Sequence, residues 1–134
     1  MYKMLVIEDE KHFFDTLYRM LLIYLENWEM DKCDDDDSFA ELFPTNKYDL
    51  VIIDLLLKKS SSQGREFIAK IREHNTIIPI VIITAADHML RPSDPEIKKY
   101  NIYDYIIKPI LASELEKKIR NMEKENLFLN KLDI

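Results

Sequence analysis

Short apolar runs that end on charged side chains constrain this chain more than any other feature. Met4-Leu5-Val6-Ile7 runs into Glu8-Asp9, Leu50-Val51-Ile52-Ile53 into Asp54, and Tyr105-Ile106-Ile107 into Lys108-Pro109. Continuous apolar runs of this length suit strands buried on both faces, which occur in parallel sheets covered by helices. In open parallel sheets the carboxyl ends of the strands border the functional crevice. Glu8, Asp9, Asp54 and Lys108 should therefore meet in one cleft.

The stretches between these runs read as helices or as weaker strands. Lys3 to Ile7 reads as a strand, followed by a helix from about Lys11 to Glu26 with Phe14, Leu17, Leu21 and Leu25 at helical spacing. Met30 to Cys33 is a weak second strand. Asp37 or Ser38 is placed to cap a short helix through Phe43, which Pro44 ends. Leu50 to Asp54 is the third strand, Lys58 to Gln63 a loop, and Arg65 to Glu73 a helix with Phe67, Ile68 and Ile71 inward. Ile80 to Thr84 is the fourth strand, His88 to Pro95 a loop, Glu96 to Tyr100 a short helix, and Tyr103 to Ile107 the fifth strand. Ser113 and Glu116 carry the spacing of a capping box for a last helix. Its stripe of Leu115, Ile119 and Met122 continues toward Asn126 and Leu129. Five strand–helix units in alternation imply an α/β fold, a doubly wound parallel sheet with helices on both faces.

Composition narrows the functional classes. At 134 residues and 47% hydrophobic content, one domain with a real core is expected. A net charge of -6 argues against direct nucleic-acid binding, which draws on basic surface. The single cysteine, Cys33, has no intrachain partner and fits a reducing compartment. No apolar run is long enough to span a bilayer, and the start lacks the pattern of a signal peptide, so a cytoplasmic, soluble domain is expected. Gly64 is the only glycine, which excludes glycine-rich phosphate loops.

Three carboxylates packed together are unfavourable unless a cation compensates. Mg²⁺ keeps several waters in its octahedral shell, so two or three carboxylates suffice to hold it. With Lys108 as a second positive charge, the set suits a phosphoryl group on Asp54. Thr84, at the end of the fourth strand, is placed to donate its hydroxyl to that group.

The order Glu8-Asp9, Asp54, Thr84-Ala85, Lys108-Pro109 resembles the receiver domain of two-component response regulators. The flanking segments Tyr48 to Asp54, Ile78 to Thr84 and Asp104 to Pro109 look like the family's third, fourth and fifth strands. The resemblance runs from residue 3 to about 122, so residues 1–122 are expected to be the receiver domain. Residues 123–134 would be a C-terminal extension of the last helix, a linker or dimerisation stub. The resemblance implies a flavodoxin-like (βα)5 fold with strand order 2-1-3-4-5. It implies that Asp54 is the phosphoacceptor, served by a histidine kinase or phosphotransfer protein. Glu8, Asp9, Asp54 and the backbone carbonyl of Leu56 would hold Mg²⁺, or Mn²⁺ in its place. Lys108 would pair with the phosphoryl group, and Lys108-Pro109 would be a cis peptide. Thr84 and Tyr105 would be the switch pair, altering the surface of the fourth helix, fifth strand and fifth helix.

The chain departs from the family pattern in places. Lys58 stands where a proline is usual, and Asn101-Ile102 where a small pair is usual. Leu56 and Ala86 cannot position a water, so a slowly hydrolysing aspartyl phosphate is expected. The acidic run Asp34 to Asp37 reads as a solvated loop before a helix rather than a calcium site. His12, His74 and His88 show no metal spacing. Leu21 to Trp28 reads mostly as core, with Ile23 and Tyr24 as surplus apolar residues. Leu115, Ile119, Met122, Asn126 and Leu129 have a heptad-like spacing, but a docked helix with a frayed tail is the simpler reading. The resulting expectation is a signalling domain and not an enzyme in its own right. It would act through a downstream protein target, an output domain beyond this sequence, or a phosphorylation-linked homodimer. A receiver-like interaction module that is never phosphorylated is the alternative. A phosphohydrolase is disfavoured, because Leu55, Leu56 and Leu57 follow Asp54 where a general acid would be needed.

Overall fold

The computed structural model describes residues 1–43, 45–55, 57, 64–85, 93–125, 127 and 128, with the side chain of Glu96 outside that set. Strands and helices alternate through it. The first half holds β1 (Tyr2–Ile7), α1 (Lys11–Tyr24), β2 (Trp28–Cys33), α2 (Asp36–Leu42) and β3 (Leu50–Ile53). The second half holds α3 (Gly64–His74), β4 (Ile80–Thr84), α4 (Pro95–Lys98), β5 (Asp104–Ile107) and α5 (Ala112–Lys124). All neighbouring strands are parallel, in the order β2-β1-β3-β4-β5. The fold is the flavodoxin-like α/β sheet that the sequence implies.

Side-chain alternation builds two cores from one sheet. Leu5, Ile7, Val51, Ile53, Ile80 and Ile82 face α2, α3 and α4, where Phe39, Phe67, Ile68, Ile71 and Ile97 meet them. Met4, Val6, Leu50, Ile52, Val81 and Ile83 face α1 and α5, against Leu17, Leu21, Leu115, Ile119 and Met122. These last three helix residues are thus spent on the domain's own core. Asn126 and Leu129, the other two positions of the heptad-like spacing, lie outside the described residues.

Helix boundaries differ from the sequence reading for local reasons. The N-cap of α2 is Asp35, which accepts from the Ser38 N–H at 2.8 Å, with Ser38 returning to the Asp35 N–H. Asp37 and Ser38 are inside the helix. Each acid in the run could cap it, and docking of Phe39 and Phe43 on the core selects Asp35. The capping box expected at Ser113 is absent. Leu111 is the N-cap and makes no side-chain bond, so Ser113 falls in the first turn. Ile110 and Ala112 pack against the α1–α5 core, which moves the cap two residues earlier, from Ser113 to Leu111.

At its other end α5 stops at Lys124 rather than running on toward Leu129. The Leu127 N–H reaches back to the Met122 carbonyl, 3.2 Å. Phe128 does not fray: it is buried edge-on to Trp28 and tilted against Tyr2, with ring centroids 5.0 and 5.3 Å away. The Asn101-Ile102 pair also has a local account. Asn101 takes a left-handed φ of 55°, which asparagine tolerates better than most residues. Arg72 fixes the turn by donating to the carbonyls of Tyr100 and Asn101, at 2.7 and 3.2 Å. Ile102 packs against the α3-side core. Among the described residues, no helix is long and apolar enough to cross a membrane.

Candidate functional site

The sheet register brings the predicted residues to one edge. Ile7 pairs with Ile53, Ile53 with Ile82, and Thr84 with Ile107. The ladder continues one step past the strands: Asp54 N–H donates to the Ile7 carbonyl at 3.0 Å and Lys108 N–H to the Thr84 carbonyl at 2.9 Å. Glu8 and Asp54 therefore leave β1 and β3 at the same level, and Lys108 leaves β5 two residues farther along, from where its long side chain reaches back to both. Lys108-Pro109 is cis.

The Lys108 ammonium bridges the two carboxylates, 2.5 Å from Glu8 Oε1 and 3.1 Å from Asp54 Oδ2. It also lies over the ring of Phe13, 4.1 Å from the centroid. Glu8 is 2% exposed and Asp54 8%. The other Glu8 oxygen accepts from the backbone N–H of Asp9 at 3.1 Å and of Glu10 at 3.4 Å. Glu10 in turn caps α1, accepting from the N–H groups of His12 and Phe13. This pins the Glu8–Phe13 segment to the start of the helix.

One ammonium compensates two buried carboxylates incompletely. Burial pushes the Glu8 carboxyl up to about 7; the Lys108 hydrogen bond opposes that shift and the charge of Asp54 adds to it. Burial weighs against the Lys108 ammonium, but the Glu8 bond and the charges of Asp54 and Glu8 outweigh it and raise its pKa. The donor set, hard oxygens short of positive charge, is the chemistry that Mg²⁺ completes.

The structure unites Glu8, Asp54 and Lys108, with Thr84 fully buried at the end of β4 and Tyr105 half-buried against the α3-side core. Asp9 is half-buried beside Glu8. Among the described residues no three acids form a group set to hold a metal ion, and Lys108 lies between Glu8 and Asp54. Leu56, whose carbonyl was expected among the ligands, lies outside the described residues, as do Lys58, the Ser60–Ser62 loop, Ala86 and His88.

Two contributors escaped the sequence reading. Gly64 opens α3 with its N–H on the Leu55 carbonyl at 3.1 Å, and a Cβ there would overlap the Asp54 carbonyl oxygen and the Leu55 Cα. A sole glycine ten residues after the acceptor strand was the available signal, since glycine marks close backbone approach. Phe13 gave no signal, because its position over Lys108 depends on how α1 packs.

Known proteins share this fold. The response regulator receiver domain family matches residues 4–120. The response regulator ArlR of Staphylococcus saprophyticus is 35% identical over 140 residues, covering 100% of this chain and 58% of that protein. The transcriptional regulatory protein DltR of Streptococcus agalactiae is 31% identical over 118 residues, covering 88% of this chain and 50% of its own length. The chain thus spans about half the length of these relatives. Among solved structures, a two-component response regulator from Clostridium difficile superposes with a TM-score of 0.77 over 100% of both chains, at 23% identity. Response regulator protein TrrA from Thermotoga maritima, in complex with Mg²⁺-BeF, does so with a TM-score of 0.74 over 91% of this chain and 99% of its own, at 26% identity. The chain belongs to the response regulator receiver domain family of two-component systems.

Proposed function

We propose that this receiver domain is a phosphorylation-controlled switch with Asp54 as its phosphoacceptor. The bridge of Lys108 between Glu8 and Asp54 carries the reading, because it places a nucleophilic carboxylate beside a cation that can neutralise a transferred phosphoryl group. An Asp54 carboxylate oxygen attacks the phosphorus of a phosphohistidine on a kinase or phosphotransfer protein. The P–O bond forms as the P–N bond breaks, and the imidazole leaves. Glu8, Asp9 and Asp54, with the Leu56 carbonyl, would hold Mg²⁺ (or Mn²⁺), which lowers the negative charge that the incoming phosphoryl group meets. Lys108 turns from Glu8 toward the phosphoryl oxygens. Thr84 brings its hydroxyl to them, and Tyr105 moves inward behind it. The surface of α4, β5 and α5 then differs between the two states and is read by a target protein, an output domain or a second copy. The kinase and its receiver meet in the cytoplasm.

Intact mass after incubation with acetyl phosphate and Mg²⁺ tests the proposal. A gain of one phosphoryl group, lost in Asp54→Asn and in chelator, supports it. No gain from folded protein, with acetyl phosphate or a phosphohistidine donor, refutes it and favours an interaction module that is never phosphorylated.

A further inference from the structure

We propose that Phe13 is the positioning residue for Lys108: its aromatic face closes the third side of the ammonium and aims the other two N–H groups at Glu8 and Asp54. The inference rests on the reading of Asp54 as phosphoacceptor. A lysine ammonium has three donors and no acceptor. Two are taken by Glu8 Oε1 and Asp54 Oδ2, and the ring of Phe13 lies 4.1 Å from Nζ. Such a separation is well inside the range of cation–π attraction. The Lys108 side chain is only 16% exposed, so the ring covers a cation already withdrawn from most of its water.

An aromatic face suits this position better than the alternatives. A third carboxylate would hold the ammonium against the incoming phosphoryl group. An aliphatic side chain would exclude water without attracting charge, leaving the ammonium free to sample other rotamers. The ring attracts Lys108 without a formal charge, so the ammonium can turn from Glu8 toward phosphoryl oxygens while keeping this contact. Phe13 itself is held in place. It sits in the first turn of α1, and its N–H donates to Glu10 Oε2 at 2.8 Å. The Glu8-Asp9-Glu10 segment thus carries one acid of the site and also the cap that orients the ring.

Proton NMR of the unphosphorylated protein tests the geometry without any phosphodonor. The Lys108 ε-methylene resonances should lie upfield of the other lysines through the ring current of Phe13. Phe13→Tyr should keep the shift, and Phe13→Leu should return it to the ordinary position. Phosphoryl uptake from acetyl phosphate, followed by intact mass, tests positioning. Phe13→Leu should be slower by about threefold to tenfold, the loss of a partly desolvated cation–π contact, and Phe13→Tyr should stay within about twofold of the parent. Ordinary Lys108 shifts in the unsubstituted protein overturn the inference, and that readout needs no variant to fold. An upfield shift with uptake unchanged in folded Phe13→Leu also overturns it. Failure of the unsubstituted protein to take up phosphoryl groups counts against Asp54 as acceptor, and the ring-current result still decides where Phe13 stands.

Discussion

The two ends of the sheet bury acids in opposite ways. At the amino end, where β2 starts and α5 finishes, Glu123 has a cation of its own and two further donors. Its carboxylate accepts from Asn27 Nδ2 at 2.9 Å, Trp28 Nε1 at 3.2 Å, and Arg120 Nη1 at 2.7 and 3.0 Å. Arg120 also reaches the Tyr24 carbonyl, which ties α5 to the end of α1. At the carboxyl end Glu8 and Asp54 share one ammonium. The first arrangement is a fastening, stable because each charge is met. The second is short of positive charge, which suits a site that must accept a cation and a phosphoryl group. An acid with a cation of its own holds structure; two acids that share one cation mark chemistry.

The largest expected effect is on the backbone that supports the charge-poor end. Gly64→Ala puts a methyl group into the Asp54 carbonyl and Leu55 Cα, backbone atoms with no rotamer to yield. Overpacking of this kind costs about 3 kcal/mol. Chemical denaturation should show that loss, and the displaced strand end should slow phosphoryl uptake as well. A variant as stable as the parent would mean that α3 starts farther from β3 than the structure places it.

Next is the fastening. Glu123→Ala leaves Trp28 Nε1 without its acceptor and the Arg120 guanidinium without its counter-charge, at about 2 kcal/mol. Trp28 is the single tryptophan, so its fluorescence reports the same event as the unfolding curve. Phosphoryl uptake should not change. A variant that folds normally but takes up phosphoryl groups slowly would break the division between the two ends.

How much of this was legible depends on the range of the interaction. β1, β3 and β4 were readable because burial on both faces leaves continuous apolar runs, and their charged ends were readable as a consequence. β2 is an edge strand buried only at its two ends, Trp28 and Cys33, and it begins at Trp28, two residues before the weak apolar signal at Met30. The start of α2 was misplaced by two or three residues beside four consecutive acids, because local chemistry permits several caps and tertiary packing selects one. Ser113 had the right spacing for a cap, yet Ile110 and Ala112 set the helix start by docking. Glu8, Asp54 and Lys108 were legible as a set because a parallel sheet forces them together. Phe13 and Gly64 depend on the packing of helices against the sheet, a relation between segments that no single stretch encodes.

The charge deficit predicts a pH dependence at the acceptor end. A carboxyl whose folded pKa is raised binds its proton more tightly in the native state than in the unfolded state. Its contribution is therefore full at low pH and is lost as pH rises through the folded value. With Glu8 at about 7 against an ordinary 4.5, stability in metal-free buffer should fall as pH rises from 4.5 to about 7 and level off above it. The size of the fall is about 3 kcal/mol. Glu8→Gln should remove the slope. Mg²⁺ should flatten it from the high-pH side by supplying the missing charge. A flat profile in the unsubstituted protein would mean that Lys108 alone satisfies both acids.

The smallest effect has the most telling sign. Asp54→Asn removes one of the two charges that compete for Lys108 and keeps the shape of the side chain. The Lys108 ammonium then belongs to Glu8 alone, and the repulsion between the carboxylates is gone. In metal-free buffer at neutral pH the variant should gain about 1 kcal/mol, as relief of like charges does. Glu123→Gln, the same neutralisation at the other end, should lose about as much, because a guanidinium is left facing an amide. Thermal unfolding of the pair side by side decides the matter. Opposite signs mean that the acceptor end is held short of stability by the arrangement that equips it for phosphoryl transfer. Equal losses would show that Asp54 is as firmly satisfied as Glu123, and the contrast between the two ends would then lie in their geometry alone.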